Sequence, residues 1–182
     1  MKTFNVPTRE TVSPANQALF DKLNKALGKV PNLYATMALS ENALGTYLTL
    51  QGSKSSLKAK EKEVINLVVS QVNECAYCLS AHTAIAKLNG FTDEQILEIR
   101  SGAAAFDSKL NALAALTKSF VEHKGKPDAA LVDDFFAAGY NNENLVDAIV
   151  VIGDKIITNY LHGVTQVPVD FPQAPALETA NA

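Results

Sequence analysis

The chain has 182 residues, of which 47% are hydrophobic and 19% are charged, and its formal net charge at pH 7 is −3. This length suits a single domain, and the apolar content is enough for a core and excludes a wholly disordered chain. The slight negative charge, without any basic block, argues against a nucleic-acid partner, and no apolar run is long enough to cross a membrane.

Apolar residues recur at helical spacing along almost the whole chain, so the sequence predicts an all-α fold. The first helix is predicted to begin with Ser13 as N-cap and Pro14 at its first position, and to end at Gly28. Caps and glycine stops predict further helices after Ser40, from about Ala59, after Asn73, Thr92 and Asp107, from Pro127, and after Asn141 or Asn142.

The segment from Leu145 to Ile152 is rich in β-branched residues, a composition that is also typical of a strand. Its apolar positions continue in helical register through Ile156, Ile157 and Tyr160. We therefore predict a buried helix here.

One helical domain is predicted to cover residues 1–172, with an N-terminal arm over roughly residues 1–12. A proline-rich stretch without apolar periodicity predicts a flexible C-terminal tail over residues 173–182. The N-terminal segment does not resemble a signal peptide, so we expect a cytoplasmic protein. In a reducing cytosol, two cysteines close together are typical of a redox or metal site rather than of a structural disulfide.

The two cysteines form the pattern Cys75-x-x-Cys78, which is followed by His82. On an α-helix these three side chains fall within an arc of roughly 60°, so they point the same way, with His82 one turn beyond Cys78. A thiol needs a neighbouring base or positive charge to become a nucleophilic thiolate at neutral pH. The spacing therefore predicts a reactive cysteine pair with the imidazole of His82 as its base.

A break in the helix just before the cysteines would bring an acidic residue to the same site. Asn73 is a good N-cap, which predicts that Cys75 lies in the first turn of a new helix, where the helix dipole favours a thiolate. Glu63 lies 10 residues before Asn73, and His82 lies 9 residues after it. In an antiparallel hairpin the carboxylate and the imidazole therefore reach the same level, about 15 Å and about 13.5 Å from the corner.

This arrangement predicts a carboxylate–imidazole–thiol relay, in which Glu63 orients His82 and favours its protonated form. Cys78 is nearer to the imidazole, so Cys78 is predicted to attack an electrophile and Cys75 to resolve the oxidised product as a disulfide. No bound cofactor and no metal is needed, because the redox equivalents reside in the cysteines. Two alternatives stay open: a redox sensor or binding protein without efficient turnover, and a metal site formed by both cysteines, His82 and Glu63.

A second set of residues repeats this spacing at an offset of 80 residues, with Glu143 and His162 in the places of the carboxylate and the imidazole. Lys155 and Thr158 then stand where the cysteines would be. A duplicated helical hairpin would explain the match, and so would a chance alignment of two apolar helices. We expect a structural role for Glu143 and His162.

Glu63 followed after eleven residues by Cys75-x-x-Cys78-x-x-x-His82 resembles the motif of the alkylhydroperoxidase D-like (AhpD-like) branch of the carboxymuconolactone decarboxylase superfamily. The likeness covers the chain from about residue 29 to 172 and is greatest to the peroxidase-related members. It implies an AhpD-like helical bundle, a homo-oligomer, and thiol-dependent reduction of organic hydroperoxides. It also implies that Cys78 is peroxidatic, that Glu63 and His82 form a proton relay, and that a lipoylated protein or another external dithiol is the reductant.

The sequence departs from the resembled proteins at one position between the cysteines. Those proteins carry an additional histidine there, and this chain has Tyr77. The difference bears on the relay and on the rate of peroxide reduction, and Tyr77 itself is expected to be a packing aromatic. The decarboxylases that give the superfamily its name lack the cysteine pair, so the resemblance does not imply lactone decarboxylation.

Overall fold

The computed structural model describes residues 4–177, and all the regular secondary structure in this part of the chain is helical. A short 3-10 helix at Arg9–Thr11 precedes nine α-helices, and the described residues form no strand, which confirms the predicted all-α fold. In chain order the α-helices are α1 (Pro14–Leu27), α2 (Asn32–Met37), α3 (Ala43–Gln51), α4 (Ala59–Val72), α5 (Ala76–Leu88), α6 (Asp93–Ser101), α7 (Ser108–Glu122), α8 (Ala129–Ala137) and α9 (Asn142–Thr165).

Several helix boundaries follow capping signals that are visible in the sequence. The Ser13 hydroxyl accepts a hydrogen bond from the Asn16 amide at the start of α1, and Gly28 ends this helix with a left-handed φ of 74°. The side chain of Asp107 caps α7, and that of Asn141 caps α9. Each cap satisfies backbone N–H groups that the first helical turn leaves free.

Helix α4 occupies the centre of the bundle, where it packs against α5, α6, α7 and α9. The main core cluster includes its apolar side chains Val64, Ile65, Leu67, Val68 and Val69. Burial of each such side chain stabilises the fold by about 1.5–3 kcal/mol. Because α4 is surrounded on several sides, its polar residues are also held inside the protein.

The corner between α4 and α5 is a Schellman-type helix end with a glutamate at its left-handed position. Glu74 has a φ of 52°, its amide donates to the Gln71 carbonyl (3.1 Å), and the Cys75 amide donates to the Ser70 carbonyl (2.9 Å). The chain reverses here as predicted, but Asn73 is the C-cap of α4 and not an N-cap. Extended backbone, which an N-cap requires, is first reached after the left-handed residue, so Cys75 itself caps α5.

Replacement of Glu74 by glycine is expected to stabilise the protein by up to about 1 kcal/mol, and replacement by valine to destabilise it by about 1–2 kcal/mol. Glycine enters the left-handed region without steric cost, whereas a β-branched side chain clashes with the backbone there. Glu74→Ala is the matched control, because it removes the exposed carboxylate and keeps the Cβ atom. Urea unfolding measures the stability of the three variants. A glycine variant that is less stable than the alanine variant would contradict the expectation.

Helix α9 runs without a break from Asn142 to Thr165, which confirms the helix predicted over the β-branched run. The expectation that this helix is buried is wrong for its outer face. Within the described part of the chain no other element covers that face, and its exposed apolar side chains are Val146, Ile149, Val150, Ile157, Tyr160 and Val164.

The continuity of α9 also rules out a second copy of the α4–α5 hairpin. Glu143 and His162 lie 19 residues apart on one straight helix, about 28 Å from each other, so they cannot form a relay. Glu143 is exposed, while buried His162 makes a hydrogen bond through Nε2 to the Val167 carbonyl (3.2 Å). The match at an offset of 80 residues is therefore a chance alignment, and His162 has a structural contact.

The segment after α9 returns across the bundle. Arg100 donates through Nη1 to the Pro175 carbonyl (2.7 Å), and the Ala174 amide donates to the hydroxyl of Ser80 (3.2 Å). These contacts hold the segment against α5 and α6, beside the start of the hairpin.

The predicted boundary between a domain over residues 1–172 and a tail over residues 173–182 stays a prediction, as does the arm over residues 1–12. Residues 1–3 and 178–182, which belong to the arm and the tail, lie outside the residues that the structure describes. Among the described helices, none has the length and apolar content needed to cross a membrane.

Candidate active site

The hairpin of α4 and α5 brings Glu63 against His82. Nδ1 of His82 lies 2.8 Å from Oε2 of Glu63, and both side chains are buried. The other carboxylate oxygen accepts a hydrogen bond from Nδ2 of Asn66 (2.9 Å), so both oxygens have a partner. The two residues thus lie at one level of the hairpin, as the spacing from the corner predicts.

Burial and nearby charges decide how this pair is protonated. Burial raises the pKa of Glu63, but His82, Asn66 and the charge of Lys155 outweigh it and the net pKa is lowered. Burial and then Lys155 lower the pKa of His82, and together they outweigh the opposite effect of Glu63. The pair is therefore an ionised carboxylate and a neutral imidazole whose Nδ1–H donates to Glu63. Glu63 favours the protonated imidazole, as expected, but burial and Lys155 outweigh this effect.

The two cysteines lie at the start of α5 and are both reduced and buried. Cys75 is the N-cap, and its Sγ accepts a hydrogen bond from the Cys78 amide (3.3 Å). Cys78 lies in the first turn, one turn before His82 on the same helical face. The pair thus stands at the start of a helix in an antiparallel hairpin, as predicted.

The two thiols differ in acidity. The pKa of Cys78 is lowered to about 7, first because the Cys75 thiol donates a hydrogen bond to it, and further because of Lys155, Asn159 and Thr158, against the effect of burial. The pKa of Cys75 is raised, because Cys78 holds its proton and because it is buried. The Cys78 amide at the start of α5 lowers the pKa of Cys75, as expected, but this effect is outweighed, and at neutral pH Cys78 is the sulfur that ionises.

Three buried polar residues of α9 complete the surroundings of the cysteines: Lys155, Thr158 and Asn159. Oδ1 of Asn159 accepts a hydrogen bond from Asn73 (2.9 Å), and its Nδ2 donates to Ser70 (3.4 Å), which fixes α9 against the corner. Lys155 and Thr158 are not among the residues predicted for this site. The signal that could have found them is the presence of charged and polar residues within an otherwise apolar helix, since lysine is rarely buried without a reason.

Tyr77 has a structural position. Its hydroxyl donates to Oδ1 of Asp170 (2.5 Å) and accepts from the Leu33 amide (3.2 Å), and its ring packs against His162 and Phe171. Burial and Asp170 raise its pKa, so its phenol is a poor acid. Tyr77 therefore anchors α2 and the C-terminal segment to α5, which fits the expected packing role.

A cavity of ≈ 780 Å³ lies next to the Glu63–His82 pair. It meets α5 at Tyr77, Ala81 and His82, which belong to the same turns of the helix as the cysteines, although the cysteines themselves do not line it. Much of the remaining wall is apolar and includes Leu27, Leu48, Ile85, Leu88 and Val150. This volume and lining suit an organic molecule of moderate size.

The chemistry available here is that of a thiolate, a second thiol within reach and a neutral imidazole. Because Nδ1 of His82 donates to Glu63, its Nε2 carries the lone pair and can accept a proton. Among residues 4–177, no three His, Cys, Asp or Glu side chains are grouped so that they could hold a metal ion. The geometry therefore lends no support to the alternative of a metal site.

Comparison with known proteins identifies a family. Residues 38–118 match the carboxymuconolactone decarboxylase family. The uncharacterized protein 4 in the cox locus of Paracoccus denitrificans is 30% identical over 90 residues, which make up 46% of this chain and 78% of that protein.

Solved structures share the fold over nearly the whole chain. A peroxidase-related protein with an alkylhydroperoxidase AhpD core from Ralstonia eutropha JMP134 is 16% identical, with a TM-score of 0.82 over 92% of this chain and 91% of that one. A peroxidase-related protein from Silicibacter sp. TM1040 is 22% identical, with a TM-score of 0.77 over 90% and 89%. An alanine variant of the debrominase Bmp8 in complex with 2,3,4-tribromopyrrole is 16% identical, with a TM-score of 0.76 over 93% of each chain. The fold is thus AhpD-like, and with the matches in sequence it follows that this chain belongs to the carboxymuconolactone decarboxylase family.

Proposed function

We propose that this protein is a thiol-dependent peroxidase that reduces organic hydroperoxides. The observation that carries the proposal is the lowered pKa of Cys78, about 7, beside a second thiol and the buried Glu63–His82 pair. A thiolate is the nucleophilic form of cysteine and the form that peroxides oxidise. Peroxide reduction by a cysteine pair requires a thiolate, a resolving thiol and a group that carries a proton.

In the proposed reaction the neutral imidazole of His82 takes the proton of Cys78, and the thiolate attacks the distal oxygen of the hydroperoxide. The O–O bond breaks, the sulfur becomes a sulfenic acid, and the alkoxide leaves as an alcohol with the proton from His82. The Cys75 thiol then displaces water from the sulfenic acid and forms the disulfide. An external dithiol restores both thiols and is itself oxidised to a disulfide.

The cavity supports an organic hydroperoxide as the substrate. Its apolar side chains, Leu27 and Leu48 among them, would bury the organic body of the substrate, which hydrogen peroxide lacks. A peroxide group at the inner wall, where Tyr77, Ala81 and His82 lie, would be close to the turn that holds Cys78. We therefore expect faster reaction with apolar hydroperoxides than with hydrogen peroxide.

The reductant and the assembly are also part of the proposal. The reductant is an external dithiol, and a lipoylated protein is the partner that the resemblance implies. A homo-oligomer is favoured by the exposed apolar face of α9, where Val146, Ile157 and Val164 follow one another, because contiguous exposed apolar surface is typical of interfaces.

A turnover assay tests this function. The purified protein is mixed with an excess of an organic hydroperoxide and of a dithiol, and peroxide loss is measured per mole of protein. The proposal requires many turnovers, and a higher rate with the organic hydroperoxide than with hydrogen peroxide. Oxidation of the cysteine pair once, without further peroxide loss, would instead favour the redox sensor, and an absence of any thiol oxidation would overturn both.

A further inference from the structure

Lys155 is a buried charge without a carboxylate partner. It lies within α9, and only 2% of its surface is exposed. None of the ion pairs formed by residues 4–177 involves this lysine. Burial of an ammonium without a negative partner carries a large free-energy cost, so a buried lysine requires an anion nearby.

Contacts of α9 with α4, and with the segment just before α4, define the level of this lysine along the helix axes. Near the start of α9, Asp147 accepts a hydrogen bond from Ser56, 91 residues before it, and near the end Asn159 donates to Ser70, 89 residues before it. The two helices therefore run parallel in nearly constant register. Lys155 lies between the two contacts, one helical turn before Asn159.

This register places Lys155 level with residues 64–66 of α4, just beyond Glu63. Glu63 faces His82 across the hairpin, and α5 runs in the opposite direction to α4. The same level on α5 therefore lies between His82 and Cys78. Along the helix axes, Lys155 is therefore within about one helical turn of both His82 and Cys78.

Among the other charged groups near this lysine, Glu63 is also within reach of its charge, but no ion pair joins the two. Both carboxylate oxygens of Glu63 already accept hydrogen bonds, and His82 is neutral. Asp154, the preceding residue, lines the cavity and makes no ion pair with Lys155. Cys78 and then burial raise the pKa of Cys75, and burial raises the pKa of Tyr34, Tyr47 and Tyr77, so these groups stay protonated at neutral pH.

We propose that Lys155 is the counter-ion of the Cys78 thiolate, supplied by α9 to make that sulfur reactive at neutral pH. Lys155 acts through the sulfur and is in this sense a positioning residue. The charge of Lys155 also lowers the pKa of Cys78, as such an ion pair requires. The use of the thiolate against peroxides rests on the proposed function, whereas the ion pair itself does not.

The ion pair has a consequence for redox balance. When Cys78 is oxidised to a disulfide, its negative charge disappears and Lys155 stays buried without its anion. The charge therefore stabilises the reduced protein relative to the oxidised one, and the disulfide is more easily reduced than it would be without the lysine.

The pH dependence of alkylation by iodoacetamide tests the ion pair without any peroxide. All proteins carry Cys75→Ser, so that one thiol reacts and the serine hydroxyl can still donate to it. Lys155→Met and Lys155→Gln are expected to raise the pKa of Cys78 by about one unit or more. At a pH below the pKa, each unit of this increase lowers the thiolate fraction about tenfold. Lys155→Arg keeps the charge and is expected to return the profile towards that of the parent.

Controls separate this role from a merely structural one. Lys22→Met removes an exposed lysine of α1 and is expected to leave the alkylation profile unchanged. Circular dichroism checks the fold of each variant, and if Lys155→Met does not fold, the comparison of Lys155→Gln with Lys155→Arg decides, since both keep a polar head group. Identical profiles for the parent, the glutamine variant and the arginine variant would overturn the proposal.

Equilibration with glutathione provides a second measurement on the protein with both cysteines. At a pH well above the pKa of Cys78 in both proteins, the disulfide of Lys155→Gln is expected to resist reduction about tenfold more for each unit by which that pKa has risen. An unchanged equilibrium would count against the ion pair. If these shifts appear and the wild-type protein turns over no hydroperoxide, the proposed function fails and the ion pair stands.

Discussion

Replacement of Cys78 by serine is expected to lower the rate of hydroperoxide reduction by at least about 1,000-fold. The variant loses the sulfur whose pKa of about 7 provides a thiolate at neutral pH, and a serine hydroxyl does not ionise there. Replacement of Cys75 by serine is expected to allow one equivalent of peroxide to react before the protein stops. Peroxide consumption in the presence of excess dithiol measures the first effect, and consumption without a reductant measures the second.

The two serine variants also identify the attacking sulfur. In the Cys75→Ser protein, the sulfenic acid of Cys78 cannot close to a disulfide, so dimedone is expected to label it and mass spectrometry to detect one adduct. The Cys78→Ser protein is expected to give no adduct, because burial still raises the pKa of Cys75 when the Cys78 thiol is gone. An adduct on Cys75 together with retained activity in the Cys78→Ser protein would contradict the assignment.

Replacement of Glu63 by glutamine is expected to lower kcat/KM by about 100-fold or more. Oε2 of Glu63 accepts the Nδ1 proton of His82 at 2.8 Å, which leaves Nε2 free as the base. A glutamine amide can donate to Nδ1 instead and so stabilise the wrong tautomer. Loss of the carboxylate also lowers the pKa of His82 further, since Glu63 raises it. Because the imidazole is already neutral, a higher pH is not expected to restore the rate.

Glu61→Gln provides a matched control for the loss at Glu63. Glu61 lies two residues earlier on α4 and is equally buried, at 6% exposure for both, but its carboxylate accepts from the Lys58 amide and faces Lys109. This variant is expected to keep its peroxidase activity. Equal losses in both variants would point to damage to the fold, and full activity of Glu63→Gln would show that the carboxylate is not part of the relay.

The hairpin and its Glu63–His82 contact were predictable because they depend on local signals and on regular helix geometry. Helical rise fixes how far each residue lies from a corner, so two residues at similar distances meet once the chain reverses. The turn chemistry was less predictable. A Schellman end usually has glycine at its left-handed position, and Glu74 occupies it here, so Asn73 was mistaken for an N-cap.

The contribution of α9 could not be predicted from local sequence. Asn159 lies beside the start of α5 only because α9 packs parallel to α4, and the corresponding hydrogen bonds join residues 86 or more positions apart. The effect of Lys155 on the pKa of His82 was not predictable for the same reason. A neighbouring carboxylate alone favours an imidazolium, whereas burial and a nearby lysine favour the neutral ring.

The amino-acid sequence by itself determined that this protein is helical, where most helices begin, and that Cys75, Cys78, Glu63 and His82 belong to one site, because caps, periodicity and helical rise act over short distances along the chain. The tertiary structure decided which form the imidazole takes, and it supplied the groups of α9 that lower the pKa of Cys78, the sulfur already predicted to attack. Those properties depend on burial and on charges that distant segments bring to the site, and Coulomb interactions follow distance in space rather than separation in sequence.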